Sequence, residues 1–316
     1  MERLTVWALE LAAELARRGR GPEQPAAVAR FMADLPTFRS VLRALVDAGD
    51  ISRAALLFSD LVTCWVDSEA HADALLWADE LLLHADRLEP GPRALLEVAA
   101  VHAQYAFELI AAKLDVAEKA LRRAEDVGDP FARAAAEVQV AIGLGWRNLD
   151  LDRAEALTDT SRASFQAQGD LYRAALVLEI RGLLALRRLD VATGIATLEA
   201  AAAEHRAHGS PADVAHALTF IGYARRAVGD LAGARRAFDE AARVLGPVRV
   251  GTWLRATVGS AHTSLALGEL ERATATFRHA HDRAVEVGDQ RIVGTTLVGL
   301  AQVATASGEL ERSVGL

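Results

Sequence analysis

The chain has 316 residues, 52% of them hydrophobic and 25% charged, and carries a net charge of −8. That is enough apolar material for a large core or a quasi-linear array, and the acidic balance speaks against direct nucleic-acid binding, which needs a basic face. Cys64 is the only cysteine, so an internal disulfide framework or a cysteine-based metal site is excluded, and the charged start MERLTVWALELAAELARR has no signal-peptide core.

No apolar run reaches the roughly 18 residues that span a bilayer. The expectation is a cytoplasmic chain with no membrane contact. Apolar residues recur at i, i+3, i+4 and i+7 almost everywhere, and strand-like alternation is rare. The pattern predicts an all-α protein.

Residues 1–50 form an N-terminal helical segment of their own. There RRGRGPEQPAAVARFMADLPTFRSVLRALVDAGD reads as two proline-punctuated helices. Pro22 and Pro36 stand where helices would start, as do Pro92, Pro130 and Pro211 further on. From residue 51 a repeat takes over and runs to 316. AVGDLAGARRAF at 227–238 reads like ALGELERATATF at 266–277, and ASGELERSVGL begins again at 306. The acidic residue of this phrase recurs as Glu108, Asp150, Asp190, Asp230, Glu269 and Glu309, with Ala70 one step earlier. The spacing is close to 40 residues.

Each marker is predicted to be the turn of a helical hairpin. A glycine before it (Gly229, Gly268, Gly308) would stop the first helix in the left-handed region, and the carboxylate would open the second. Four residues past the markers stand Ala74, Ala112, Ala154, Gly194, Ala234, Ala273 and Ser313, all small. Eight before come Val62, Ala100, Ile142, Gly182, Gly222, Ala261 and Ala301. Eight past, the later copies place Leu198, Phe238 and Phe277, and eleven past come Ala201, Ala241 and Ala280. Offsets four, eight and eleven share one helix face, so the second helix should pack through small, large, small.

This pattern resembles the tetratricopeptide repeat, with a period longer than that family's usual ~34 residues. The resemblance covers roughly residues 51–316. It implies a superhelical α-solenoid of about seven antiparallel hairpins, the last incomplete, with the first helix of each lining the concave side.

The earlier region carries a second resemblance. Gly21-Pro22-Glu23-Gln24, Phe38-Arg39-Ser40-Val41-Leu42, Trp65 and Trp77-Ala78-Asp79-Glu80-Leu81 stand in the order found after the nucleotide-binding module of large bacterial signal-transduction ATPases. Those include LuxR-type regulators, the maltose regulator and antibiotic-regulatory proteins. Phe38 departs from the Asn-Leu usual there, and Leu61 or Val62 from a tryptophan. The sequence has no G-x-x-x-x-G-K-S/T phosphate loop. Because the last hairpin stops inside its second helix, the residues are expected to be part of a longer protein, or to be covered there by a partner or a second copy.

Chemistry is sparse. His205, His208 and Glu204 could hold a metal, but a solvated helix end is the plainer reading. The carboxylates are expected on exposed faces beside arginine, as in Glu271-Arg272 and Glu311-Arg312, and Cys64 as a buried structural thiol. No catalytic residue, metal or cofactor is assigned. The repeat resemblance implies a groove lined by first-helix residues. On this chain they are Gln139, Trp146, Arg147, Glu179, His216, Tyr223, Arg226, Arg255 and His262, with Glu97, Gln104, Tyr105, Arg187, Thr219 and Gln302 beside them. Such a wall suits a protein, a peptide or a small effector. The expected function is a non-catalytic sensor module of a bacterial transcriptional regulator. The alternatives are a free-standing scaffold that joins proteins or dimerises, and an α-helical enzyme.

Overall fold

The computed structural model describes residues 1–68, 70–105, 114–245 and 250–308. The markers Glu108 and Glu309, with Ala112 and Ser313, lie outside them, as do the side chains of Gln104 and Tyr105. Fifteen α-helices and no strands are found among the described residues. The chain divides into two compact units, one of Met1–Arg188 with His208–Ser210, the other of Leu189–Ala207 and Pro211 onward.

In the first unit, α1 (Glu2–Arg18) and α2 (Gln24–Asp47) both contact α3 (Ile51–Val66). Helices α3 and α4 (His71–Leu82), α5 (Pro90–Tyr105) and α6 (Leu114–Val127), and α7 (Pro130–Trp146) and α8 (Leu151–Ala167) form successive hairpins, followed by α9 (Leu171–Arg187). The second unit opens with α10 (Val191–His208). It continues with the hairpins α11 (Pro211–Ala227) with α12 (Leu231–Leu245) and α13 (Val250–Ala266) with α14 (Leu270–Val287), then α15 (Gln290–Ala306). Each first helix also contacts the next first helix of its unit, as α3 does α5 and α11 does α13. Among the described residues no helix is long and apolar enough to cross a membrane.

The turns follow the expected chemistry with two variations. Gly229, Gly268 and Gly308 adopt φ of 83°, 76° and 79°. Asp150, Asp190 and Asp230 accept the backbone N–H three residues on, at 3.0, 3.1 and 2.8 Å, each cap contributing about 1 kcal/mol. Glu269 makes no such cap. Its side chain, one methylene longer, pairs with Arg235 on the preceding second helix instead. At the Asp190 turn the left-handed residue is Leu189, φ 63°, where the later turns use glycine.

The small positions carry the packing. Ala74, Ala154, Ala234 and Ala273 are all at 0% exposure. Phe238 and Phe277 are equally enclosed. A β-carbon added at Gly222 would lie 2.7 Å from the Phe238 ring, and one at Gly259 would lie 2.5 Å from it. The ring is therefore clamped between the first helix of its own hairpin and that of the next. Phe277 meets Gly299 of α15 in the same way, at 2.4 Å.

In the first unit the resemblance-bearing residues are structural. Trp65 and Phe38 sit in an aromatic cluster, Phe31 stacking on Phe38 (5.8 Å) and meeting Trp65 edge-on (5.2 Å). Arg43 grips Glu80 with two bonds of 2.5 and 2.8 Å while lying over Trp77, which ties α2 to α4.

Two expectations are corrected. Pro36 does not start a helix; it lies inside the continuous 24-residue α2. The missing N–H would have met the carbonyl of Met32, which sits on an exposed stretch where water can satisfy it, and buried Phe31, Leu35 and Phe38 hold the helix together. Nor are all carboxylates exposed: Glu137, Glu179 and Asp213 are buried. Glu137 is neutralised by Arg133 (3.0 Å) and accepts from the Thr160 hydroxyl (2.9 Å).

Three substitutions test this account by urea titration. Gly259→Ala should destabilise by about 1–3 kcal/mol although helix propensity alone favours alanine by about 1 kcal/mol, and Phe238→Leu should relieve it. Leu189→Gly should stabilise by about 1 kcal/mol, because the left-handed conformation costs a leucine roughly that much.

Candidate functional site

The predicted groove residues fall into separate places. Gln139 and Glu179 are buried, at 8% and 4% exposure, so they stand within the packed interior of the first unit and not on an open wall. Thr219 is buried too and bonds the Ala215 carbonyl within its own helix. Trp146 and Arg147 are exposed at the end of α7, and the Arg187 guanidinium lies over the Trp146 ring at 4.9 Å. These two expectations share a surface; the buried ones do not.

The second unit brings the others together. Tyr223 of α11 reaches across to α13, where its hydroxyl donates to the Arg255 carbonyl at 3.4 Å. Its ring stands edge-on to Phe238 (5.0 Å) and to Phe220 (6.3 Å), and Phe220 meets His216 edge-on at 4.9 Å. The Arg226 guanidinium lies 5.8 Å over the Tyr223 ring. Burial raises the Tyr223 hydroxyl above the usual phenol range, opposed by the charges of Arg255, Arg226 and Arg291. His262 packs edge-on against Phe277 at 4.8 Å, and burial, then the nearby Arg226, holds its imidazole below the usual range. Tyr223, Arg226, Arg255 and His262 thus share one face of α11 and α13, and α15 adds Arg291, which the sequence reading did not single out.

Regular register explains the grouping. Tyr223 and His262 both stand seven residues before their markers, and hairpins that repeat at a near-constant spacing put equal offsets side by side. Aromatic rings seat the polar groups from beneath, and the cationic groups remain at the rim. Such a surface can hydrogen-bond, stack and attract negative charge. Among the described residues no three His, Cys, Asp or Glu side chains gather to hold a metal ion.

A second polar cluster, in the first unit, was not legible. It combines Arg20 from the α1–α2 turn, Asp60 and Cys64 of α3, His102 of α5 and Arg173 of α9. Arg20 is largely enclosed, its Nε finds no hydrogen-bond partner, and burial, helped by the charge of Arg173, lowers it to about 10. Burial raises Asp60, opposed by Arg20 and Arg17. It also pushes the Cys64 thiol up to about 12, the state of an inert thiol. His102 falls to about 4, chiefly through burial and then through Arg173.

No protein-family model matches the sequence, and no curated protein matches it. Solved structures match in fold. A Rap protein complexed with Competence and Sporulation Factor superposes with a TM-score of 0.70 at 15% identity, over 99% of this chain and 88% of that one. NprR in complex with its cognate peptide NprX gives 0.64 at 13% identity, over 99% and 87%. A signal transduction ATPase with numerous domains and a tetratricopeptide repeat sensor, from Pyrococcus horikoshii, gives 0.67 at 13% identity over 89% of this chain. This chain spans only 45% of that protein's length. At these identities the likeness establishes the architecture alone. The chain is an all-α array of tetratricopeptide-like helical hairpins.

The His102 environment sets a pH dependence. The unfolded imidazole takes a proton near its ordinary 6.5, whereas the folded one resists until about 4. Its contribution is therefore present above 6.5 and is lost as pH falls toward 4. Stability should drop over that window by about 1–3 kcal/mol, and His102→Gln should flatten the profile in urea titrations at successive pH values.

Proposed function

We propose that this chain is a non-catalytic sensor module that recognises a peptide on the α11–α13–α15 face, in the service of a bacterial transcriptional regulator. One observation carries the reading: Tyr223, Arg226, Arg255 and His262, four side chains able to stack and hydrogen-bond, are set together over a rigid aromatic floor of Phe238 and Phe277. Peptide recognition draws on such a mixture, with aromatic anchors supplying area at low entropic cost and arginines supplying directed donors. Floor rings fixed by glycine contacts keep these groups preorganised, so little ordering is left for the ligand to drive.

The fold neighbours support the same direction. NprR was solved with a cognate peptide, Rap with Competence and Sporulation Factor, and the Pyrococcus protein uses its repeats as a sensor within a signal-transduction ATPase. In this proposal the catalytic and DNA-contacting steps belong to other modules, and the repeat array supplies recognition.

The test passes a pool of random short synthetic peptides over the immobilised chain and measures the retained fraction by mass spectrometry. Tyr223→Ala combined with Arg226→Ala should lower retention by tenfold or more, on the order of one lost anchor residue, while circular dichroism and melting stay close to those of the unaltered chain. Equal retention by both chains would move the ligand away from this face.

A further inference from the structure

A charge taken out of water is costly unless it is paired, and the first unit holds two opposite charges that are close together and unpaired. Arg20 lies in the α1–α2 turn. Gly19 beside it packs so tightly on α3 that a β-carbon there would lie 3.6 Å from the Cys64 sulfur. Asp60 stands four residues before Cys64, on the same side of α3. The turn thus sets a guanidinium beside a carboxylate, and each bears on the other's charge. Yet among the described residues neither side chain makes an ion pair or a hydrogen bond. Of the described arginines, Arg20 alone has an enclosed nitrogen with no partner.

The surroundings do not supply the missing partners. Arg173, whose charge also reaches Arg20, is committed elsewhere. It donates to Asp170 from its guanidinium and from its backbone N–H (3.0 Å), and it lies over the Phe131 and Phe165 rings at 4.6 and 5.9 Å. Asp170 is thereby taken up as well. Arg17 acts on Asp60 by charge, but its own side chain is exposed. Burial keeps the Cys64 thiol and the His102 ring uncharged at neutral pH. Arg20 and Asp60 are each half-buried, so a solute has access to both.

We propose that Arg20 and Asp60 hold a small zwitterion between them, a free amino acid whose ammonium sits on Asp60 and whose carboxylate sits on Arg20. A simple anion would leave Asp60 uncompensated and be repelled by it, and a simple cation would fare the same at Arg20. Only a ligand that carries both signs relieves both groups at once. In an amino acid the two charges are joined through a single carbon, which suits protein groups that feel each other without meeting. A peptide fits poorly, because its two termini are far apart. The site shares no residue with the α11–α13–α15 face, and its ligand is a second one, independent of the peptide.

The experiment screens the full chain at pH 7 for a rise in Tm with each of the common free amino acids, and measures the best by isothermal titration. At least one should raise Tm and bind. Its N-acetyl and its amide forms, each lacking one charge, should bind the unaltered chain at least about tenfold more weakly. Arg20→Gln and Asp60→Asn should each weaken the free amino acid by a similar factor. The losses should also be selective: Arg20→Gln no longer distinguishes the amide from the free form, and Asp60→Asn no longer distinguishes the N-acetyl form. Neither variant should lower the ligand-free Tm, because each removes a charge that has no partner. A chain that responds to no amino acid overturns the proposal, as does binding that survives either variant. Equal binding of the blocked forms to the unaltered chain overturns it without any variant. A lower ligand-free Tm in both variants, with no amino acid bound, would make Arg20 and Asp60 a structural pair instead.

Discussion

A phenylalanine ring laid against glycine backbone is the contact on which the second unit depends. Phe238 has Gly222 on one side and Gly259 on the other, leaving no space for even a β-carbon. Removing that carbon allows three helices to converge on one ring. Burying a phenylalanine contributes about 1.5–3 kcal/mol, but its larger effect is geometric: a clamped ring fixes how far apart consecutive first helices lie. Phe277 repeats the arrangement with Gly299 one hairpin later. The buried alanines of the second helices complete the seam.

The binding face follows from that spacing. Each first helix is held from behind by its neighbours, so its opposite side is displayed at a regular interval. Tyr223 bridges two of these helices through the Arg255 carbonyl, and His262 sits over Phe277 as Tyr223 sits over Phe238. The floor is thus the outer surface of the core, and its rigidity is inherited from packing.

The architecture was legible because it is periodic. The small-large-small face of the second helix, the glycine stop and the acidic turn are local signals repeated many times, and repetition separates them from chance. What depended on long-range geometry was not. Pro36 reads as a helix start by local rule, yet packing through Phe31 and Phe38 carries α2 straight past it. Glu269 looks like Asp230 in the repeat but pairs with Arg235, because one methylene changes its reach. Glu179 and Gln139 have the offset expected of a groove, eleven residues before their markers, but that offset is packed inward in both units, where Thr219 and Val258 are buried as well. The Arg20, Asp60, Cys64, His102 and Arg173 cluster draws on helices more than a hundred residues apart and obeys no repeat register, so nothing in the sequence could collect it.

The clamp also makes chain length negotiable. Gly259 and Gly299 are forty residues apart and present the same bare backbone to the ring before them. Excising one whole period between them would bring Phe238 against Gly299, a surface already shaped for a phenylalanine. Inserting a period would do the reverse. Descendants of such a gene can therefore lengthen or shorten by whole hairpins without inventing a new interface, and each change moves the register of the displayed side chains by one complete step. Diversity of ligand then comes from duplication and loss as readily as from point substitution.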